Sequence, residues 1–234
     1  EDNNPCTTGS VCDRGTCGTN NTAPCTDGNP CTIGDICAGG VCVPGTGALP
    51  APVQFCNPGT ILINDSTLPP TTATPYPSGI TISGMPTFIC STRVALIGLN
   101  HTFPSDVDML LAGPAGQKFV MLSDVIGGTD WGNINYTLDD AAAALIPPSG
   151  TPVSGSFKPT NYDSTTDTFL APAPVGPYQN PATAGTATFN SVFNGTNPNG
   201  TWNLYVTDDA GVDSGTIGGG WCVDLVSVCD CNDN

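Results

Sequence analysis

The chain has 234 residues, of which 4 are lysine or arginine and 20 are acidic, so its formal net charge is −16 at pH 7. A chain this acidic is repelled by phosphate backbones and anionic lipid surfaces, which argues against nucleic acid partners and membrane insertion. Every acidic residue except Glu1 is an aspartate. Aspartates clustered in turns favour hard divalent cations, and we therefore expect bound calcium.

Twelve cysteines in a chain with so few charged side chains indicate an oxidising compartment, and we expect an extracellular or cell-surface protein. The sequence shows neither a signal peptide nor a transmembrane run, which favours a mature or excised segment. All of the cysteines are disulfide candidates. They are Cys6, Cys12, Cys17, Cys25, Cys31, Cys37, Cys42, Cys56, Cys90, Cys222, Cys229 and Cys231.

A cysteine-rich repeat of period 25 fills residues 1–42, and its two copies are residues 2–17 and 27–42. Each copy has the spacing C-x5-C-x4-C and almost no large apolar side chain, so it cannot fold around a core of its own. Disulfides, neighbours or a metal must therefore hold it. The spacing favours disulfides, because structural zinc sites use pairs of the form C-x2-C.

The second copy also has the oxygen spacing of a calcium-binding loop. Asp27, Asn29 and Asp35 occupy relative positions 1, 3 and 9, and backbone carbonyls at positions 5 and 7 fall between them. Ala38 stands at position 12, where such loops place a glutamate. The alternative is an Asx turn fixed by disulfides, and the sequence favours that alternative.

Residues 229–234 repeat the opening of this cysteine-rich unit. We therefore expect a linear, modular architecture, in which the chain has tandem neighbours in a longer protein or associates with other copies end to end. Residues 43–54 are rich in proline and glycine and are predicted to be a linker before the next domain.

Residues 55–228 contain short segments in which apolar side chains alternate with polar ones, as in strands with one face on a core. About nine such segments predict an all-β fold, a sandwich of two sheets. The candidate strands are 60–63, 79–83, 88–99, 106–111, 118–123, 134–138, 186–189, 202–207 and 221–228.

Two further segments interrupt this pattern. Residues 139–145 are predicted to form one helical turn, capped by Asp139 and Asp140. Residues 147–185 are rich in proline, threonine and serine, and we expect a long excursion over the surface. Such an excursion is either a contact surface or packing cover, and the sequence leaves both open.

The cysteines of this domain differ in their register within the strands. Cys90 shares parity with inward-facing residues, whereas Cys222 has the opposite parity to its apolar neighbours. This difference argues against a bond between the two. Cys56 is the favoured partner of Cys222 or Cys229, because the first and last strands of such sandwiches often lie side by side.

Two motifs in the same region carry a family resemblance: HTFPSDVDMLLAGPAGQ at residues 101–117, and GTWNLYVTDD with GTIGGGW between residues 200 and 221. Together they resemble the P domain that accompanies subtilisin-like proprotein convertases, in the form found in bacterial secreted proteins. The resemblance covers residues 55–228 and implies a jelly-roll-like β-sandwich, often with bound calcium. Cys222 departs from the motif, and no protease domain lies within the 234 residues.

Aspartates in these two motifs, and in the glycine-rich loop that follows residues 118–123, are the candidate calcium ligands of the sandwich. We expect one calcium ion, held by a subset of them. The candidates are Asp106, Asp108, Asp124, Asp130, Asp208, Asp209 and Asp213.

The sequence offers little for catalysis, and we expect the protein not to be an enzyme. His101 is its one histidine and would have to supply any imidazole base. The sequence has no G-x-S-x-G motif, and its cysteines are better explained as cystines than as nucleophiles. Trp202 and Trp221 have the register of core residues, whereas Trp131 lies in a predicted loop and is a candidate contact for a glycan.

These features predict a non-enzymatic extracellular structural module, stabilised by calcium and disulfides, in a modular surface protein or a self-assembling fibre or adhesin. One alternative is an accessory module that binds a glycan or a protein through residues 147–185 and Trp131. Another is a protease-associated P domain separated from its catalytic partner.

Overall fold

The computed structural model describes residues 6–8, 19–65, 68–165 and 167–229. The chain divides into two compact units, Glu1–Ala51 with Val228–Asn234, and Pro52–Ser227. The predicted fold class is confirmed: the described chain is almost entirely β, with a disulfide-rich N-terminal segment and a two-sheet sandwich of the jelly-roll-like kind. The predictions for Cys12, Cys17 and Cys231 lie outside the described residues.

The smaller unit contains two short antiparallel strand pairs. They are β1 (Thr7–Thr8) with β2 (Thr19–Asn20), and β3 (Ile36–Ala38) with β4 (Val41–Val43). Gly39 and Gly40 connect β3 and β4 with φ angles of 61° and 83°, which glycine adopts without strain in a two-residue hairpin turn. The local sequence therefore determines this hairpin.

One disulfide of the smaller unit crosses between the two repeats, and another joins the second repeat to the residues just before it. Cys6 of the first copy bonds to Cys37 of the second, and Cys25 bonds to Cys42. Cys31 is also disulfide-bonded. Because Cys6 and Cys37 are completely buried, their bond occupies the place that an apolar core would take in a larger domain.

The first sheet of the larger unit has six strands. They are β7 (Thr71–Thr72), β8 (Ser78–Ile82), β10 (Val107–Ala112), β11 (Lys118–Ser123), β14 (Thr160–Asn161) and β15 (Gly200–Asp208). The order is β14-β11-β10-β15, and both β7 and β8 pair with β15 as well. All of these pairs are antiparallel except that of β11 with β14.

The second sheet has seven strands. They are β5 (Val53–Asn57), β6 (Ile61–Ile63), β9 (Phe88–His101), β12 (Trp131–Leu138), β13 (Gly155–Phe157), β16 (Gly215–Ile217) and β17 (Trp221–Val228). The order is β13-β12-β9-β16-β6, and β17 pairs with β9 and with β5. Gly98, with φ of 72°, lies within β9, and its carbonyl accepts a hydrogen bond from Gly218 N at 2.9 Å.

One apolar core lies between the two sheets and takes alternate residues from their strands. Trp202 and Trp221 lie in it, both completely buried, as their register predicts. Trp202 Nε1 donates to the Pro198 carbonyl at 2.9 Å, and Trp221 Nε1 donates to Ser78 Oγ at 3.0 Å. Both rings are therefore buried without leaving an indole N–H unpaired.

The predicted strand at 186–189 is wrong, because this segment leads into a short helix, α1 (Phe189–Phe193). Thr188 caps α1 in a capping box with Ser191. Asp140 supports the same end, since its carboxylate accepts hydrogen bonds from Phe189 N at 3.0 Å and Asn190 N at 2.8 Å. In the described part of the chain, no helix is long and apolar enough to cross a membrane.

The helical turn predicted at 139–145 is also wrong. Asp139 Oδ1 accepts a hydrogen bond from Ala141 N at 2.8 Å, which closes an Asx turn, while Asp140 is engaged by α1. The two aspartates therefore bond as caps, as their residue type indicates, but they do not start a helix of their own. A cap can serve a helix that is distant in sequence.

Several strands were not predicted, namely β5, β7, β13, β14 and β16. Each has five residues or fewer, which is too short for a clear alternation of apolar and polar side chains. By contrast, the predicted bounds of β11 and β17 agree with the structure. The predicted linker at 43–54 contains the last residue of β4 and the first two residues of β5.

The 147–185 excursion covers the outer face of the first sheet. A second apolar cluster, named here the outer cluster, lies on that face. It consists of Leu110, Ala112, Val120, Phe169, Ala173 and Tyr205. Since Phe169 and Ala173 come from the excursion, residues 167–179 are named the cover segment. Packing cover is therefore a role of this segment of the excursion.

A disulfide between Cys56 and Cys222 joins β5 to β17, which is one of the two pairings that the sequence favours for Cys56. The two residues are direct partners in the strand register and lie 166 residues apart in sequence. Cys90, which faces inward as its parity predicts, is 6% exposed and is also disulfide-bonded.

We expect replacement of both Cys56 and Cys222 by alanine to lower the free energy of unfolding by about 2–5 kcal/mol, because the bond closes a long loop and restricts the unfolded chain. Denaturant unfolding of the double variant measures this loss. Removal of both sulfurs avoids an unpaired thiol. An unchanged transition midpoint and slope would contradict the prediction.

Candidate metal site

Three aspartates and a serine meet on the outer face of the first sheet. Asp108 is the second residue of β10 and is only 1% exposed. Ser123 ends β11 and is completely buried, and Asp124 follows it in a left-handed conformation with φ of 55°. Asp167 comes from the start of the cover segment. The acids are thus supplied by two neighbouring strands and by the excursion that passes over them.

The Ser123 hydroxyl lies at the centre of this group. Ser123 Oγ is 2.6 Å from Asp108 Oδ1 and 2.8 Å from both Asp124 Oδ2 and Asp167 Oδ1. A hydroxyl carries one proton and can donate to one of the three carboxylates. The other two contacts bring lone pairs together, and they are favourable only if a further proton or a cation lies among the oxygens.

Three more oxygen atoms near these acids have no hydrogen-bond partner among the described residues. They are Asp108 Oδ2, Asn161 Oδ1 and Thr207 Oγ1, and all are buried. Asn161 is completely buried, and its Nδ2 donates to Asp167 Oδ2 at 2.6 Å. Thr207 is the direct register partner of Asp108 on β15. A buried oxygen without a partner is costly, so these atoms point to a ligand that accepts electron pairs.

We name these six residues the acidic site. They are Asp108, Ser123, Asp124, Asn161, Asp167 and Thr207. The three carboxylates each offer an oxygen, and those oxygens lie within 4.8 Å of one another. All donors in the set are oxygens, which suits a hard cation such as calcium and does not suit zinc or copper.

Burial raises the pKa of every carboxyl in the acidic site. It raises the pKa of Asp108 well above the usual value, and the neighbouring Asp167 carboxylate adds to the effect. Burial likewise raises the pKa of Asp167 to about 6 and also raises that of Asp124. The folded chain alone therefore favours protonation here, and a bound cation would allow all three groups to be ionised at neutral pH.

A second group of aspartates lies around His101, and these aspartates form hydrogen bonds with protein groups. His101 Nδ1 accepts from Phe103 N at 3.2 Å, so Nε2 carries the proton and donates to Asp208 Oδ2 at 3.2 Å. His101 and Asp208 are completely buried, and Asp208 Oδ1 also accepts from Ala210 N. Asp213 accepts a hydrogen bond from the Thr102 hydroxyl.

The predicted metal ligands of the sandwich therefore separate into two sets. Asp108 and Asp124 come together in the acidic site, whereas Asp208 and Asp213 serve other partners. Asp106 ends a 3-10 turn before β10, and its pKa, like that of Asp209, is raised to about 6, chiefly by burial. Asp130 is exposed, and no group of metal-ligating residues among the described ones includes it.

Sequence reasoning missed Ser123, Asn161, Asp167 and Thr207. Asn161 and Asp167 lie in the excursion, where no strand pattern suggests their position. The one available signal was the spacing of polar oxygens in residues 161–167, which read NYDSTTD. Thr207 could be placed only once β10 and β15 were known to pair in register.

The proposed calcium loop of the second repeat forms Asx turns instead. Asp27 Oδ1 accepts from Asn29 N at 2.8 Å, and Asn29 Oδ1 accepts from Cys31 N at 3.0 Å. Asp35 Oδ1 accepts from Gly45 N at 2.8 Å, and this bond, followed by that from Asp27 N, lowers the pKa of Asp35. The oxygens point to backbone N–H groups, so the Asx turns that the sequence favours over a calcium loop are the arrangement seen here.

Three sulfur atoms of the smaller unit, those of Cys6, Cys25 and Cys42, lie close enough together to surround a metal ion. Cys6 bonds to Cys37, however, and Cys25 bonds to Cys42. Sulfur in a disulfide is not a thiolate and does not ligate zinc. The sulfur group is therefore a pair of neighbouring disulfides, as the cysteine spacing predicts.

The prediction that Trp131 contacts a glycan is wrong. Trp131 is the first residue of β12 and is 1% exposed. Its Nε1 donates to the Tyr136 hydroxyl at 3.2 Å, and the two rings pack edge to face with centroids 6.0 Å apart. The strand begins earlier than its alternation suggests, and this places Trp131 in the core.

Comparison with known proteins adds little to this geometry. The chain matches no protein-family model and no curated protein sequence. Among solved structures it is similar to the crystal structure of a serine protease of Aeromonas sobria, with 15% sequence identity and a TM-score of 0.33. The match covers 78% of this chain and 28% of the protease chain. A similarity this low carries no information about activity.

We expect the metal-free protein to become less stable as the pH rises from about 4 to 7. Asp106, Asp167 and Asp209 have a pKa of about 6 in the folded chain against 3.8 for an unperturbed aspartate, so the folded state binds more protons in this window. Stability is then lost as the pH rises through about 6. Asp35 and Asp163, whose pKa is lowered, act in the opposite direction only below 3.8.

Calcium should reverse this trend, because its binding requires the ionised carboxylates. Thermal unfolding at pH 5 and pH 7.5, each in chelator and in excess calcium, measures both effects. A higher midpoint at pH 7.5 than at pH 5 in chelator would contradict the prediction.

Proposed function

We propose that this protein is a non-enzymatic structural module of an extracellular or cell-surface protein, stabilised by calcium and by disulfides. The observation that carries the proposal is the acidic site, in which three carboxylates contact one serine hydroxyl and three buried oxygens have no hydrogen-bond partner among the described residues. The P domain resemblance of the motifs at 101–117 and 200–221 supports it. Both motifs contribute to the site, through Asp108 and Thr207.

Calcium fits the acidic site better than magnesium. Three carboxylates and two neutral side-chain oxygens form a large set of protein ligands, and calcium takes six to eight oxygens in flexible geometry at about 2.3–2.6 Å. Magnesium needs an octahedron with distances of about 2.0–2.1 Å and prefers to keep its waters. The neutral oxygens of Asn161 and Thr207 are also buried, which suits a cation that takes a large, irregular set of protein ligands.

A bound calcium ion would supply positive charge that offsets the repulsion among the carboxylates. Asp108, Asp124 and Asp167 would ligate it from β10, from the end of β11 and from the cover segment. The site would therefore connect three parts of the chain that no disulfide of the described residues joins. The Ser123 hydroxyl, completely buried among these acids, would orient them and not act as a nucleophile.

The absence of enzymatic activity is part of the proposal. His101 is buried completely and both of its ring nitrogens are engaged, one by Phe103 N and the other by Asp208. An imidazole held in this way stabilises the turn before β10 rather than reaching a substrate. Trp131 cannot serve as the glycan contact of the alternative function, because it is buried.

An extracellular location is supported by the disulfides at Cys6–Cys37, Cys25–Cys42 and Cys56–Cys222. Tandem neighbours or end-to-end association remain our proposal for its partners, from the repeat seen in the sequence. The P domain role beside a protease is the second candidate, and the motif resemblance alone favours it.

We expect isothermal titration of the metal-free protein with calcium chloride to show one bound ion per chain. Asp167→Asn should weaken this binding at least tenfold, because it removes one of three carboxylate ligands. Asp130→Asn is the matched control: it makes the same change at an exposed aspartate outside the acidic site, and its affinity should stay within twofold of wild type.

The same variants separate loss of the metal from loss of the fold. At a calcium concentration of 100 times Kd, wild type should gain about 2.7 kcal/mol of stability. In chelator, Asp167→Asn should be at least as stable as wild type, since it relieves repulsion at Ser123. If wild type shows no calcium-dependent heat and no thermal shift, the proposed function is wrong.

Self-association is tested by negative-stain imaging of the native secreted material, with and without a calcium chelator. Regular fibres in calcium that disperse in chelator are the expected result if calcium stabilises the assembling module. Dispersed single particles in both conditions would contradict the fibre form of the proposal, while the calcium titration would still test the module itself.

A further inference from the structure

The acidic site and the outer cluster lie side by side on one face of the first sheet. Asp108 and Leu110 are two residues apart on β10 and therefore point to the same side. Their register partners on β15 are Thr207 and Tyr205. The polar site thus continues along the two strands into the apolar cluster, with no other element between them.

The cover segment begins in the acidic site and ends on β11. At its start, Asp167 contacts Ser123 at 2.8 Å and accepts from Asn161 Nδ2 at 2.6 Å. At its end, Gln179 N donates to the Lys118 carbonyl at 2.9 Å and the Gln179 carbonyl accepts from Val120 N at 3.0 Å. Backbone pairing to β11 therefore holds the segment at Gln179.

The middle of the cover segment is held mainly by side-chain packing. Phe169 is 8% exposed and packs edge to face on Tyr178 with ring centroids 5.4 Å apart. The hydroxyl of Tyr76 donates to the Leu170 carbonyl at 3.0 Å. Leu170 itself points outward and is 42% exposed. The segment between its two ends is therefore held by Phe169, by hydroxyl contacts and by Lys118 Nζ, which donates to the Val175 carbonyl at 2.6 Å. Side-chain contacts of this kind, in place of a strand ladder, are typical of a part that opens locally.

We propose that the acidic site and the cover segment open and close as one unit, so that calcium holds the segment over the outer cluster. The proposal rests on the proposed function, because it needs the calcium ion bound by Asp167. Without that ion, repulsion from Asp108 and Asp124 acts on Asp167 and favours release of the segment's first residues. Release would uncover the outer cluster, including Leu110 and Tyr205.

The proposed coupling between calcium binding and closure of the cover segment must act in both directions. If calcium favours the closed segment, then contacts that close the segment favour calcium by the same factor. Phe169 is two residues from Asp167 and holds the closed form by packing alone. It is therefore a positioning residue for the metal, although it offers no ligand atom.

Hydrogen exchange followed by mass spectrometry tests the proposal on the full chain. We expect amides of residues 167–179 to exchange at least tenfold faster in chelator than in excess calcium. Amides of β9, in the core of the second sheet, should change less than threefold. Calcium binding is measured in parallel by titration, so that occupancy of the site is known independently.

Two neighbouring substitutions provide the matched pair. Phe169→Ala should raise the Kd for calcium about five- to tenfold and speed exchange of residues 167–179 even in calcium. Leu170→Ala, which truncates an exposed side chain next to it, should change the Kd less than twofold. Phe169→Leu, which keeps an apolar side chain there, should restore most of the affinity.

The possible results are distinguishable. If calcium binds but residues 167–179 exchange equally with and without it, the coupling is wrong and the proposed function stands. If calcium slows hydrogen exchange equally in all segments, opening is not local to the cover segment and the proposal is overturned. If equal Kd values for Phe169→Ala and Leu170→Ala accompany normal calcium binding, Phe169 does not position the metal site. If calcium does not bind at all, the proposed function fails first.

Discussion

The convergence of three carboxylates on the single hydroxyl of Ser123 is the constraint on which the larger unit depends. Asp108, Asp124 and Asp167 belong to β10, to the turn after β11 and to the excursion, so the site determines how these three parts meet. One proton cannot satisfy three acceptors. The sandwich therefore places a cluster of acidic groups at the edge of an apolar cover, and the proposed cation would make the arrangement favourable at neutral pH.

Disulfides stabilise the smaller unit, whereas apolar packing stabilises the larger one. The repeats have almost no large apolar side chain. The Cys6–Cys37 disulfide links the two copies, and Cys25–Cys42 joins the second copy to the residues just before it. In the sandwich, a core of alternating strand residues carries most of the stability, and the Cys56–Cys222 bond adds a long-range constraint. Bound calcium would be a third means of stabilisation, local to the outer face.

The charged side chains of the sandwich are arranged so that each has a different task. Asp208 orients His101 by a buried hydrogen bond, Asp140 caps α1, and Asp139 closes an Asx turn. The carboxylates of the acidic site differ in that three of them meet at one hydroxyl, and a bound cation would offset their repulsion. A high content of aspartate in the sequence therefore does not by itself identify which residues bind a metal, because caps, turns and ligands use the same residue type.

The sequence by itself determined the fold class, the buried Trp202 and Trp221 and the presence of Asp108 and Asp124 among the candidate ligands, because alternation and turn composition are local signals. It narrowed the partner of Cys56 to Cys222 or Cys229, and the structure selected Cys222. Tertiary structure alone decided that Asp167, Asn161 and Thr207 complete the site, that Trp131 is buried, and that residues 186–189 lead into a helix. These outcomes depend on contacts between residues far apart in sequence. No periodicity records such contacts, and only the closed sandwich brings their atoms together.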